Sequence, residues 1–387
     1  MGLTSRLRVN LGNVRAALRP MRERGLGLRA ALVWLPLAMA LRAWRALAGP
    51  LNARLLKPWF NAARFAAFQQ ALRPAAGMPL YVIVMPHTLH FLLPCLALLH
   101  GRAPLVLVAN GARRWERAML RRRLPELPMF TLRTLPLSSL PHGDAISLMI
   151  DHHRGDFGIV DHDAYIFDAT LPGRLQPAAD ECMVAVFAQS SQRAGIAYPL
   201  THVLAFQAEP LRRLMHAHGI DARSYRQPPA AAAAALRRIG LGRDDHFKDY
   251  QTFHDTLHVL LAVALVDGLK VRFEPQPEGQ PVFHVGGTSI GSHHTKNLLA
   301  LHIHLRFLEL LDDPELRKRY AFLTYPLRGA VEALGRGNPM DAAWQTLPVV
   351  DDLLARLRAA GAGHGFRAGW DITRSTAISA PFPQPID

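Results

Sequence analysis

The chain has 387 residues, half of them hydrophobic and 19% charged, which is ample material for a buried core and excludes general disorder. Its formal net charge is +15, yet residues 1–60 alone set eleven Lys or Arg against a single acid, Glu23, so the excess is local. The remainder is mildly basic and has neither zinc-finger spacing nor an aromatic-and-basic RNA-binding signature; no nucleic-acid partner is expected. The only cysteines, Cys95 and Cys182, are far apart in apolar surroundings and define neither a disulfide framework nor a thiolate metal site.

The N-terminal segment carries an apolar stretch, Ala30 to Leu41, between Arg29 and the pair Arg42 and Arg45. Twelve residues are too few to span a bilayer, which takes about 20. Two readings stay open: an interfacial helix with Trp34 and Trp44 near anionic headgroups, and a helical hairpin packed on the core. From Met78 the pattern changes to short β-rich runs alternating with helical ones, the mark of βαβ units and a parallel sheet. It predicts strands at 80–85, 105–109, 129–135 and 157–160, with helices at about 90–99, 113–124 and 143–152. The stretch 164–250 is irregular, with an alanine run at 230–235 that reads as a helix start or a surface loop. A helix at about 250–266 then leads to strands at 270–274 and 282–285, and an amphipathic helix covers 295–311. The expected fold is α/β: an open, mostly parallel, Rossmann-like sheet flanked by helices, with an N-terminal helical extension. The expected division is a basic extension at 1–77, a catalytic core at 78–295, and a helical region with a tail at 296–387.

Asp161-His162-Asp163 directly follows the fourth predicted strand. On extended chain, carboxylates at i and i+2 point to one side, so the pair suits a hard divalent cation bound together with substrate phosphates, Mn²⁺ or Mg²⁺. In open α/β sheets, ligands collect at the carboxyl ends of the strands.

The run Phe157-Gly158-Ile159-Val160-Asp161-His162-Asp163 resembles the Asp-x-Asp element of nucleotide-diphosphosugar glycosyltransferases with the GT-A fold, family 2-like. Leu140-Pro141-His142-Gly143-Asp144-Ala145 is similar to the helix start before it. Val108-Ala109-Asn110-Gly111 is similar to the family's second strand end, and Pro86-His87-Thr88 stands where the family seats nucleotide base and ribose. The resemblance implies metal contacts from Asp161, Asp163 and His284. It implies donor contacts from Pro86, His87, Asn110 and His142, with Arg154 and Lys296 as candidate phosphate cations. Phe253-His254-Asp255 looks like the acidic helix start of inverting members, which makes Asp255 the candidate base, although His254 stands where Glu is usual. The implied reaction moves a sugar from a nucleotide-diphosphosugar to a hydroxyl of a glycan or lipid-linked acceptor with inversion, in the cytoplasm, with an anionic membrane face as a further partner.

Two other readings compete. Asp151-His152-His153 looks like the Asp-His-His signature of metal-dependent phosphoesterases, but that family's other motifs are missing. The basic N-terminus alone fits a non-catalytic peripheral membrane protein. The histidine pairs 152–153 and 293–294, and the alternation of His302 with His304, lack the spacing of a complete ligand set.

Overall fold

A computed structural model describes residues 28–72, 77–242, 244–248, 251–276, 282–286, 288, 298–324 and 347–362. Lys296 and the pair His293-His294 lie outside them. The chain divides into two compact units. Among the described residues, the larger takes 49–86 and 98–284, and the smaller takes 28–48, 87–97 and 285–362.

The larger unit is built on a seven-stranded sheet of β1 (Leu80–Val84), β2 (Leu105–Ala109), β3 (Met129–Thr131), β4 (Phe157–Asp161), β6 (Glu181–Ala185), β9 (Val203–Phe206) and β10 (Lys270–Phe273), in the order β10-β6-β9-β4-β1-β2-β3. The pairs β1–β2, β1–β4, β2–β3 and β6–β10 are parallel, whereas β9 runs antiparallel to both β4 and β6. The sheet is therefore α/β and mostly parallel, as the alternating pattern predicts. Every residue of β1 and β2 is buried, which is why both read as continuous apolar runs: a strand covered by helices on both faces has no solvent side on which to alternate. The helices His142–His152, Ala208–His218 and His258–Val266 supply much of that cover.

Two short ladders complete the unit. β5 (Ala164–Ile166) pairs antiparallel with β11 (Val282–His284), and β7 (Ala188–Ser191) with β8 (Ile196–Pro199). The alanine run forms the helix Ala230–Arg238, entered from Pro229. The helix expected from about 250 starts only at His258. Before it, His254 exchanges backbone hydrogen bonds with Tyr225, and Leu257 sits at φ 72°. A left-handed residue breaks any helix running through it.

Residues 52–72 pack on this unit. The π-helix Asn52–Asn61 buries two asparagines completely. Asn52 donates to Ser138 Oγ (2.9 Å) and the Ser139 carbonyl (3.0 Å) and accepts from Leu135 N (2.8 Å). Asn61 exchanges both amide ends with the Arg133 backbone at 2.8 and 2.9 Å. Phe65, on the following helix Ala62–Ala71, packs edge-on to Phe130 of β3.

The helix Leu28–Leu51 belongs to the smaller unit as far as Ala48; in that unit the helices Leu298–Leu311 and Leu347–Ala359 enclose a core that includes Phe91, Phe307, Leu354 and Leu357. His90 and His304 are both buried there, with Nε2 of one 2.8 Å from Nδ1 of the other. His304 is thus a core hydrogen-bonding partner. Among the described residues, no helix is long and apolar enough to cross a membrane.

Candidate metal and donor site

β4 ends at Asp161, and residues 162–163 turn the chain into β5. The expected extended i, i+2 geometry therefore does not unite the two carboxylates; a turn between two sheets does. The β5–β11 register sets His284 opposite Ala164, the residue after Asp163. Its Nε2 lies 3.3 Å from Asp163 Oδ1 and 3.7 Å from Asp161 Oδ2. Sequence and structure agree in bringing Asp161, Asp163 and His284 together.

A fourth member has no signal in the local sequence. The antiparallel strand β9 begins where β4 ends, so His202, the residue before β9, arrives at the carboxyl edge of the parallel strands. Its carbonyl accepts from Asp161 N at 2.8 Å, its Nδ1 lies 3.3 Å from Asp161 Oδ2, and its ring stacks on His284 with centroids 3.4 Å apart at 18°. Asp161, His202 and His284 can each offer a ligand atom, all within 4.8 Å of one another. Among the described residues no other trio of His, Cys, Asp or Glu does so. Asp151, His152 and His153 in particular do not converge. Asp151 faces His216 (3.2 Å), and the buried His153 places Nδ1 2.8 Å from the Gly155 carbonyl.

The donor set fits a divalent cation. Asp163 is buried, and a buried carboxylate beside a second one is costly unless positive charge faces the pair. His284 faces both carboxylates, and as a ligand to a cation it would have to be neutral. Burial works against its protonated form, but the Asp163 hydrogen bond and the charges of Asp163 and Asp161 outweigh it and raise its pKa above 6.5. One carboxylate with two imidazoles, and Asp163 beside His284, suit Mn²⁺ better than Mg²⁺, which favours an all-oxygen shell.

The other residues singled out from the sequence sit apart from this cluster. Asn110, buried after β2, donates to the Leu140 carbonyl and accepts from Leu140 N, both at 2.8 Å; it pins the loop that leads to His142. His142 opens its helix, and its Nε2 is buried with no hydrogen-bond partner among the described residues. Pro86 and His87 form the turn after β1, with His87 at φ 64°. Arg154 is exposed. Asp255 bonds Lys248 Nζ (2.8 Å), Thr256 N (2.8 Å) and Gln251 Nε2 (3.4 Å), none of which belongs to the Asp161 cluster. Burial pushes its pKa up, but the Lys248 hydrogen bond, the Thr256 amide and the Lys248 charge prevail and hold it below the usual carboxylate value.

No family model and no curated protein matches the chain. Among solved structures, it is similar to an active-site mutant of LgtC, 13% identical, with a TM-score of 0.29, over 35% of this chain and 59% of that one. It is also similar to the apo structure of WbbM, a bifunctional glycosyltransferase, 10% identical, with a TM-score of 0.33, over 53% of this chain and 40% of that one. The chain thus spans less than two thirds of either structure.

Proposed function

We propose that this chain is a glycosyltransferase that uses a divalent cation, Mn²⁺ by preference, to move a sugar from a nucleotide-diphosphosugar to an acceptor hydroxyl. The observation that carries the reading is the convergence of Asp161, Asp163, His202 and His284 at the carboxyl edge of a mostly parallel sheet, where such sheets bind nucleotides and phosphates. A cation held there would neutralise the leaving nucleoside diphosphate.

Within this reading Pro86 and His142 border the donor, whereas Arg154 stands before β4, at the opposite end of that strand from Asp161, and does not meet its phosphates. Asp255 is the acceptor base, which makes the reaction inverting. The Lys248 pair keeps that carboxylate ionised but weakly basic, so the acceptor must displace Lys248 before Asp255 can take a proton.

The test is binding of a nucleoside diphosphate with and without Mn²⁺ by calorimetry, for the unaltered protein and for Asp161→Asn and Asp163→Asn. Metal-dependent binding that both variants lose supports the reading; equal binding in all three proteins removes it. Asp255→Asn should keep that binding and lose transfer. Transfer retained in Asp255→Asn ends the base assignment and leaves the metal half standing.

Attachment to an anionic membrane face has one observation of its own: Leu32, Val33, Leu37 and Leu47 of the helix Leu28–Leu51 are 52–66% exposed. Replacing Leu32, Val33 and Leu37 by Ser should abolish co-sedimentation with phosphatidylserine vesicles. Unchanged sedimentation would exclude this helix as the anchor.

A further inference from the structure

The larger unit carries an apolar surface that the metal and donor site leaves without a role. Asn52 and Asn61 stand about two turns apart on the π-helix, and both donate to carbonyls of the loop after β3. With those two residues inward, Arg54, Leu55 and Trp59 face outward: Trp59 is 76% exposed and Leu55 52%, and the adjacent Phe60 is 44% exposed. The same loop adds Leu137, 51% exposed and at φ 58°. A leucine takes that left-handed conformation against its steric preference; Asn52 holds it there by binding Leu135 N on one side and the Ser139 carbonyl on the other. Leu55 and Trp59, about one π-turn apart, differ from the single scattered apolar residues of an ordinary surface.

The charges around this face have one sign. Residues 24–115 and 127–143 contain neither Asp nor Glu, and these segments supply the π-helix, the helix Ala62–Ala71 and the loop after β3. Arg54 and Arg133 are exposed, and the Arg133 guanidinium lies over the Phe60 ring, 5.9 Å from its centroid. Arg64 donates to the Thr131 carbonyl at 3.1 Å and lies over Phe130; burial and then the charge of Arg133 lower its pKa, so the two guanidinium groups repel each other. Lys57 is engaged elsewhere, 3.4 Å from Asp144 and 3.8 Å from Asp221. Exposed tryptophan, phenylalanine and leucine among uncompensated arginines match a bilayer surface that contains anionic lipid, where aromatic rings sit at headgroup level and arginine meets phosphate. A second copy of this chain would instead set arginine against arginine.

We infer that this face docks the larger unit on an anionic bilayer. The inference rests on the membrane reading of the helix Leu28–Leu51, from which the chain runs directly into Asn52. The exposed leucines of that helix provide the anchor. Arg54, Leu55, Trp59 and Phe60 are too few to hold a protein alone, and they engage once the anchor has raised their local concentration at the surface. Docking also places the metal cluster. β3 and β4 belong to one parallel run with β2 and β1 between them, so the loop after β3 and Asp161 at the end of β4 share the carboxyl edge. At about 4.8 Å per strand they lie roughly 14 Å apart along it, which keeps the cluster near the headgroup layer.

The test is co-sedimentation of the full-length protein with vesicles of mixed phosphatidylserine and phosphatidylcholine. Leu55→Ser/Trp59→Ser alters two exposed side chains and should weaken binding at least tenfold with circular dichroism unchanged. Arg54→Gln should weaken it about fivefold. Brominated acyl chains read the position directly: they should quench the tryptophan emission of the unaltered protein more than that of Trp59→Phe, which keeps an apolar contact and still sediments. Equal quenching in these two proteins, or undiminished sedimentation of Leu55→Ser/Trp59→Ser, overturns the docking face and leaves the helix anchor standing. Failure of the unaltered protein to sediment overturns both. A lipid-free dimer that Leu55→Ser/Trp59→Ser breaks apart assigns the face to a second copy and overturns the inference.

Discussion

Replacing His202 by Ala tests the site at the residue that only the structure supplies. The carbonyl of residue 202, which accepts from Asp161 N at 2.8 Å, survives the change, as does the β4–β9 pairing that begins at the next residue. The fold should therefore persist. What disappears is one candidate nitrogen ligand and the ring stacked on His284. Losing even an outer partner of a metal site costs about 10- to 100-fold in affinity, so Mn²⁺ binding should weaken by at least that, about 1.4–2.8 kcal/mol. Asp161→Asn removes a full negative charge from the same trio. At about 4 Å and an effective dielectric of about 20, a unit charge pair is worth roughly 4 kcal/mol, which is on the order of a thousandfold. The two variants should then rank His202→Ala above Asp161→Asn in retained affinity, by about tenfold or more. Titration of Mn²⁺ at pH 7.5, followed by calorimetry or by loss of the free-ion paramagnetic signal, measures both. Unaltered Mn²⁺ affinity in His202→Ala, with the fold intact by circular dichroism, refutes the donor set of Asp161, His202 and His284.

Acid should destabilise the protein early. His254 and His258 have pKa values lowered from 6.5 to about 4 and about 3, chiefly by burial. The unfolded chain therefore binds more protons than the folded one below pH 6.5, and stability falls as pH drops, by about 1.4 kcal/mol per pH unit per histidine. Urea midpoints measured between pH 7.5 and 5 should decline, with a shallower decline in His254→Asn; a flat profile contradicts the burial argument. Asn52→Ala strips three hydrogen bonds from a fully buried site and should cost about 3 kcal/mol at roughly 1 kcal/mol per bond, read from the same midpoints; a loss under 1 kcal/mol would show the π-helix to be loosely docked. Gly111 sits at φ 78°, and an added Cβ would lie 2.4 Å from the Ser138 carbonyl oxygen. Gly111→Ala should accordingly lose more than the roughly 1–2 kcal/mol of left-handed strain alone, and a neutral result would mean that the 133–141 loop yields freely.

Where burial on both faces shaped the sequence, the fold was legible. Leu80–Val84, Leu105–Ala109 and Phe157–Asp161 are apolar almost throughout because helices cover the sheet, and the structure places all three within a residue of their predicted bounds. The stretch 164–250 was not legible, because β6 to β9 are four or five residues long and owe their conformation to partners distant in the chain. Asp161 and Asp163 were singled out from their spacing at a strand end, and His284 only through the resemblance to glycosyltransferases. His202 was not, because its position depends on the one strand that runs against the others, and nothing near Thr201-His202-Val203 announces that direction. The late start of the helix at His258 has a similar cause: apolar periodicity continues back through Leu257, while the pairing of Tyr225 with His254 holds the preceding residues open.

That reversed strand also bears on how the site comes into being. Asp161 and His202 are 41 residues apart, and His284 arrives on a separate two-stranded ladder, so no local segment of the unfolded chain carries the donor set. A cation that requires all of them binds only after β9 has entered between β4 and β6 and β11 has closed on β5. On the proposed reading, metal binding would act as a latch on long-range topology, and its affinity would add directly to the stability of the larger unit.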